Sequence, residues 1–117
     1  MMTTTPLMQL LQGYLKVTQD RQQLVTSNIA NVDTPGFQTK DVNFQAAMQQ
    51  ALSPEGSLQL HPASMEIQGL PERPDGNNVN VDRESLLLSE TQLQYQMGVQ
   101  LIKSELHRLM TAIKDGN

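Results

Sequence analysis

The chain contains no cysteine and no tryptophan. Without thiols there is no disulfide framework and no zinc–thiolate site. Aromatic residues are scarce as well: Tyr14, Phe37, Phe44 and Tyr95 are all there are. Hydrophobic residues make up 38% of 117, so a large self-sufficient core is not expected, and the length allows a single domain over 1–117. Positive charge is sparse. Eight Lys and Arg stand against twelve Asp and Glu, a net charge of −4, and the basic residues are scattered. Phosphate binding needs a basic face or stripe, so nucleic acid is not an expected partner. No stretch approaches the roughly 20 apolar residues of a membrane span. The start, Met-Met-Thr-Thr-Thr-Pro-Leu, has no basic residue before Lys16 and no continuous apolar run, so the chain reads as lacking a cleaved signal peptide.

What is present is helical patterning at both ends. Over residues 5–33, Leu7, Leu10, Leu11, Tyr14, Val17, Leu24, Val25, Ile29 and Val32 recur at spacings of three and four. Thr5 suits the N-cap and Pro6 the first helical position, where a missing N–H costs nothing. Thr34-Pro35-Gly36 marks the stop: proline disfavours helix for the residue before it, and Pro-Gly fits the centre of a type II turn.

Over residues 80–114 the pattern is stricter. Val81, Ser85, Leu88, Gln92, Tyr95, Val99, Ile102, Leu106, Leu109 and Ile113 alternate by four and three, a heptad seam. Asn80 or Asp82 can cap this helix, and Asp82 with Glu84 places negative charge at its positive end. Gln92, polar within the seam, reads as a register-setting residue, and Arg21 and Asn28 share the spacing of the first stripe.

Between them, residues 34–79 form an irregular connector. A short helix is expected from Val42 to Leu52, capped by Asp41, with room for short strands at 57–60 and 65–67. Pro71 to Asn78 is a loop by composition. The fold class is therefore mainly α: two long amphipathic helices paired as in a coiled coil around an irregular middle, expected antiparallel, with a connector long enough for either orientation. Such a pair alone is marginal, and neighbours are the natural source of further burial.

No constellation of catalytic residues stands out. His61 and His107 are isolated, the acids come singly, and neither a Gly-x-Ser-x-Gly elbow nor a phosphate loop is present. No catalytic, cofactor-binding or metal-ligating residue is nominated and no cofactor is expected. The fifteen glutamines suit helices that hydrogen-bond across an interface at less desolvation cost than charge.

Two stretches carry a family pattern. The first is Ser27-Asn28-Ile29-Ala30-Asn31-Val32-Asp33-Thr34-Pro35-Gly36-Phe37, which resembles the signature that closes the N-terminal helix of flagellar axial proteins (rod, hook and hook-associated subunits). A Pro-Gly turn accounts for Pro35 and Gly36 but not for Asn28 and Asn31, which are expected to tie the helix end to the turn. The second, Asp75-Gly76-Asn77-Asn78-Val79-Asn80-Val81-Asp82-Arg83-Glu84, resembles the start of the C-terminal helix in proximal basal-body rod proteins. Many relatives have Tyr at the position of Phe37 and a basic residue at that of Gln38.

The resemblance implies a non-enzymatic rod subunit of the basal body, in the periplasm, exported without a cleaved signal. It implies as partners other rod subunits and further copies of itself, the ring and ring–rod junction proteins, and the flagellar export apparatus. A second proximal rod subunit, or a coiled-coil adaptor or chaperone of type III secretion, is the alternative. The residues expected to pack or assemble are Tyr14, Val17, Leu24, Leu88, Gln92, Tyr95, Val99, Ile102, Leu106, Leu109 and Ile113.

Overall fold

The computed structural model describes residues 5–52 and 64–115. Helix α1 covers Pro6–Ala30, strand β1 Lys40–Val42, helix α2 Phe44–Leu52, strand β2 Ser64–Glu66 and helix α3 Val81–Asp115. The expected strand at 57–60 and His61 lie outside the described residues. At 1.5 Å per residue, the 25 residues of α1 make a rod of about 37 Å and the 35 of α3 one of about 52 Å. The radius of gyration is 17.9 Å, against about 13 Å for a compact chain of this length, so the molecule is a rod. Among the described residues no helix is long and apolar enough to cross a membrane.

The helix starts follow local chemistry. Thr5 Oγ1 accepts the Met8 N–H at 3.0 Å, with Pro6 in the first turn. Of the two candidate caps for α3, Asn80 is the one used: its Oδ1 accepts the Arg83 N–H at 3.0 Å. The short middle helix starts two residues later than the sequence pattern places it. Asn43 caps it, accepting the Ala46 N–H at 3.1 Å, while Asp41 and Val42 belong to β1. Asp41 turns inward to α1, where Arg21 grips it with Nε and Nη2 at 2.9 and 3.1 Å. The polar residue on the apolar stripe of α1 is thus explained by a carboxylate 20 residues away.

β1 and β2 pair antiparallel, Lys40 with Glu66 and Val42 with Ser64. The ribbon and α2 cover one side of α1. Val17, Val42 and Ala47 form the buried centre, with Leu24, Phe44, Met48 and Ala51 packed around it. Tyr14 meets Phe44 edge to face at 5.8 Å. Gly13 lies under α2, whose Ala51 methyl stands 3.5 Å from where a Cβ would be.

Helix α3 packs along the other side of α1, antiparallel. Asn28 bonds to Glu84, Gly98 lies against Tyr14 and Leu15, and Leu7 and Leu11 share a groove with Leu101, Glu105 and Arg108. The face α3 presents is not the expected seam. The buried residues are Glu84, Thr91, Gly98 and Glu105, each one position ahead of Ser85, Gln92, Val99 and Leu106. The reason is closeness. A Cβ on Gly98 would sit 2.6 Å from Leu15 Cδ2, so the helices come closest where α3 has no side chain, with Glu84 and Glu105 buried on the same face to either side. At the far end Arg108 binds Glu105 with Nε and Nη2 at 3.1 and 2.6 Å, and that hydrogen bond, more than the charge alone, holds the Glu105 carboxyl below its ordinary range.

Arg21 and Asp41 are both mostly shielded, so removing one strands the other. Arg21→Met, which keeps the apolar stem, should cost about 1–3 kcal/mol by urea unfolding, the value of a charge-assisted hydrogen-bond pair. A loss below about 0.5 kcal/mol would mean that Asp41 finds water instead.

Candidate functional site

The two family-like stretches meet at one end of the helix pair. Asn31 ends α1: its N–H reaches the Ser27 and Asn28 carbonyls, its Nδ2 donates to Ser27 O at 2.8 Å, and its Oδ1 accepts the Thr34 hydroxyl at 3.0 Å. Residues 34–37 are the expected turn, closed by Phe37 N–H to Thr34 O at 3.2 Å, with Gly36 at φ +77°. A second turn, Arg73 to Gly76, packs directly against the first. Its Asp75 carbonyl accepts the Gly36 N–H at 2.8 Å, and a Cβ on Gly76 would lie 3.4 Å from Gly36 Cα. The Arg73 guanidinium also donates to the Val32 carbonyl.

Asn77 and Asn78 join these turns from within. Asn77, fully buried, donates Nδ2 to the Asn31 and Thr34 carbonyls at 2.9 and 2.8 Å and accepts the Val79 N–H at 2.8 Å. Asn78 accepts the Thr39 N–H at 2.6 Å and donates to Gln38 Oε1 at 3.0 Å, while Gln38 Nε2 donates to the Gly76 carbonyl at 2.7 Å. A segment that composition marks as loop is therefore partly interior, because its side-chain amides satisfy carbonyls that the turns leave unpaired.

Asn28 completes the junction. Its side chain mimics a strand partner for Lys40, donating to Lys40 O at 2.8 Å and accepting Lys40 N–H at 3.1 Å. The same Nδ2 donates to Glu84 Oε1 at 2.5 Å, and the other Glu84 oxygen takes Arg83 Nη1 at 2.5 Å. Asn28 is 1% exposed and Glu84 0%. Sequence alone reads Glu84 as negative charge that complements the dipole at the helix start. Instead it is the buried end of the contact between α1 and α3, and Asp82 alone stays exposed.

Of the remaining motif residues, Ile29 and Phe37 are half-buried, and Ala30, Thr34, Pro35 and Gly36 are exposed. Of the packing residues nominated from sequence, Val17 is in the core, and Tyr14, Leu24, Leu88, Val99, Ile102, Leu106 and Leu109 are half-buried. Gln92, Tyr95 and Ile113 are exposed, so Gln92 does not sit between the two helices; its neighbour Thr91 does, with its hydroxyl bonded to the Leu88 carbonyl at 2.9 Å. Sequence reasoning missed Glu84, Thr91, Gly98, Asn77 and Asn78. One signal was available: a glycine inside a long helix generally has a packing reason. His107 is exposed, and among the described residues no three of His, Asp or Glu are grouped to hold a metal.

Chemically, the junction is a scaffold. Its donors and acceptors are consumed by one another, which fixes the angle between two helices. Asn77→Ala removes a fully buried amide and takes the partner from two part-buried carbonyls and one buried N–H, and should cost roughly 2–4 kcal/mol. Asn31→Ala, whose side-chain bonds are exposed, should cost about 1 kcal/mol or less. Chemical denaturation of the two variants checks the order; equal losses would contradict it.

A sequence profile described as that of the flagella basal body rod protein matches residues 8–38, which takes in most of α1 and the turn after it. The chain is 30% identical to the flagellar basal body rod protein FlgB of Salmonella typhimurium, over 91% of each chain. It is likewise 30% identical to FlgB of Escherichia coli K12 over 91% of each chain, and 32% identical to that of Aeromonas hydrophila over 86% of each.

Proposed function

The chain belongs to the flagellar basal body rod protein family, and from that membership we propose that it is a structural subunit of the proximal rod. In this role it assembles helically with other rod subunits and further copies of itself, and links the ring and ring–rod junction proteins to the distal rod. It has no catalytic step. The observation that carries the reading is identity to rod proteins along nearly the whole chain, with both family-like stretches interlocked at one junction.

The surface supports it. Leu86, Leu93, Met97 and Leu101 are each more than half exposed on α3, and Gln92 and Tyr95 lie in an exposed part of the heptad seam. From Thr91 to Ile102 the helix carries no charge at all. A subunit surrounded by neighbours buries such faces against them at little desolvation cost. The subunit resides in the periplasmic part of the basal body and reaches it through the flagellar export apparatus without cleavage of its N-terminus.

Deleting the gene in the source bacterium should leave cells non-flagellate, and basal bodies purified from the parent should contain this chain with an uncut N-terminus by mass spectrometry. Flagellated, motile deletion cells would end the proposal, and a chain shortened by a signal-peptide length would end the export route. A finer test uses Tyr95→Glu. The side chain is 37% exposed, so the isolated chain should lose about 1 kcal/mol or less, while swimming on soft agar is lost. Normal swimming would take Tyr95 out of the assembly surface.

A further inference from the structure

The heptad repeat of α3 leaves its register against α1 underdetermined by apolar burial. Leu88, Tyr95, Ile102 and Leu109 recur every seven residues, and so do the buried positions Glu84, Thr91, Gly98 and Glu105. A slide of one heptad replaces each apolar residue by another of similar size, so hydrophobic contact hardly distinguishes the two registers. Besides the Asn77 and Asn78 bonds that hold the chain just before α3 to the end of α1, two contacts within the helix pair distinguish them. Asn28 meets Glu84 near one end, and Tyr14 and Leu15 meet Gly98 near the middle. The separations match: 28 − 14 = 14 along α1, and 98 − 84 = 14 along α3.

We propose that Asn28 and Glu84 are the polar half, and Gly98 the steric half, of a register key. The key sets how far the C-terminal end of α3 projects beyond the start of α1. In the slid register Thr91 would face Asn28 and bring no carboxylate to accept its amide. Glu105 would then face Tyr14 and Leu15, where even a Cβ would come 2.6 Å from Leu15 Cδ2 and force that side chain to move. The slide is about 10 Å, seven residues at 1.5 Å each. In the observed register Leu7 shares a groove with Arg108, and α3 runs on from there to Asp115. A one-heptad slide would draw most of that projecting end back alongside α1. The key is a property of the hairpin and holds whatever the chain assembles with.

The absence of cysteine makes disulfide trapping in the full chain a clean test. Leu11→Cys with Leu101→Cys reports the observed register, and Leu11→Cys with Arg108→Cys reports the slid one. Positions 101 and 108 are about 10 Å apart along the helix, and a disulfide needs Cα atoms within roughly 7 Å. With the key intact the first pair should form at least ten-fold more bridge than the second. Asn28→Leu combined with Glu84→Leu removes the polar half alone and should cut the ten-fold preference at least three-fold, the Gly98 contact and the Asn77 and Asn78 bonds keeping the first pair the major one, with helix content by circular dichroism unchanged. Glu84→Gln, whose amide oxygen still accepts from Asn28, should keep the first register. The proposal is overturned if the double leucine variant keeps the ten-fold preference, if it loses helix without the slid bridge, or if Glu84→Gln slides. Failure of the first pair to bridge with the key intact would overturn the hairpin itself.

Discussion

A carboxylate with no solvent exposure is costly unless its oxygens are occupied, and Glu84 has both occupied, by Asn28 and Arg83. The rest of the junction follows from this contact. The Asn28 amide is shared with the Lys40 backbone, so seating Glu84 also seats β1 against the end of α1. With β1 placed, Asp41 comes within reach of Arg21 and α2 is led across Gly13. Aspartate at position 28 could accept from Lys40 but could not donate to Glu84, and leucine could do neither. Of the common side chains, asparagine carries donor and acceptor at the short reach this geometry requires.

The parts legible in the sequence are those decided within a few residues. Thr5 and Pro6 begin α1, Thr34-Pro35-Gly36 turns the chain, and Asn80 begins α3, because caps and turns are local hydrogen-bonding events. The burial of Glu84 was not legible, since it depends on a partner 56 residues distant. The contact face of α3 was misread for another reason. Apolar periodicity locates the most hydrophobic stripe, whereas two helices pressed closely together meet on their smallest residues, here Thr91 and Gly98. The strands were only partly readable, because a strand of three residues shows no alternation to detect.

Choosing the small face for the intramolecular contact has a consequence for the large one. Close approach at Gly98 turns Leu93, Met97 and Leu101 outward and leaves Val99 and Leu106 only half covered. For a monomer that must stay dispersed this is a poor arrangement, since exposed leucine and methionine in line invite association. For a subunit in a rod it is the useful one. The hairpin closes on polar and small groups, and the greasy faces remain for neighbours. The elongated shape belongs to the same economy: a compact chain would bury those residues in itself.

The division of labour also separates two kinds of specificity. Apolar faces bind strongly but discriminate poorly between registers, because dispersion and burial are indifferent to which leucine meets which. Amides and carboxylates add little net energy, yet each one left unmatched in the interior costs several times what a match gains. The polar side chains are therefore concentrated where geometry has to be single-valued, at the closed end formed by Asn28, Asn31, Asn77, Asn78 and Glu84. An angular or axial error made there would be amplified along the roughly 50 Å of α3. A long assembly built from such subunits needs its strictest interactions at the pivot and can leave its most permissive ones on the surfaces that neighbours share.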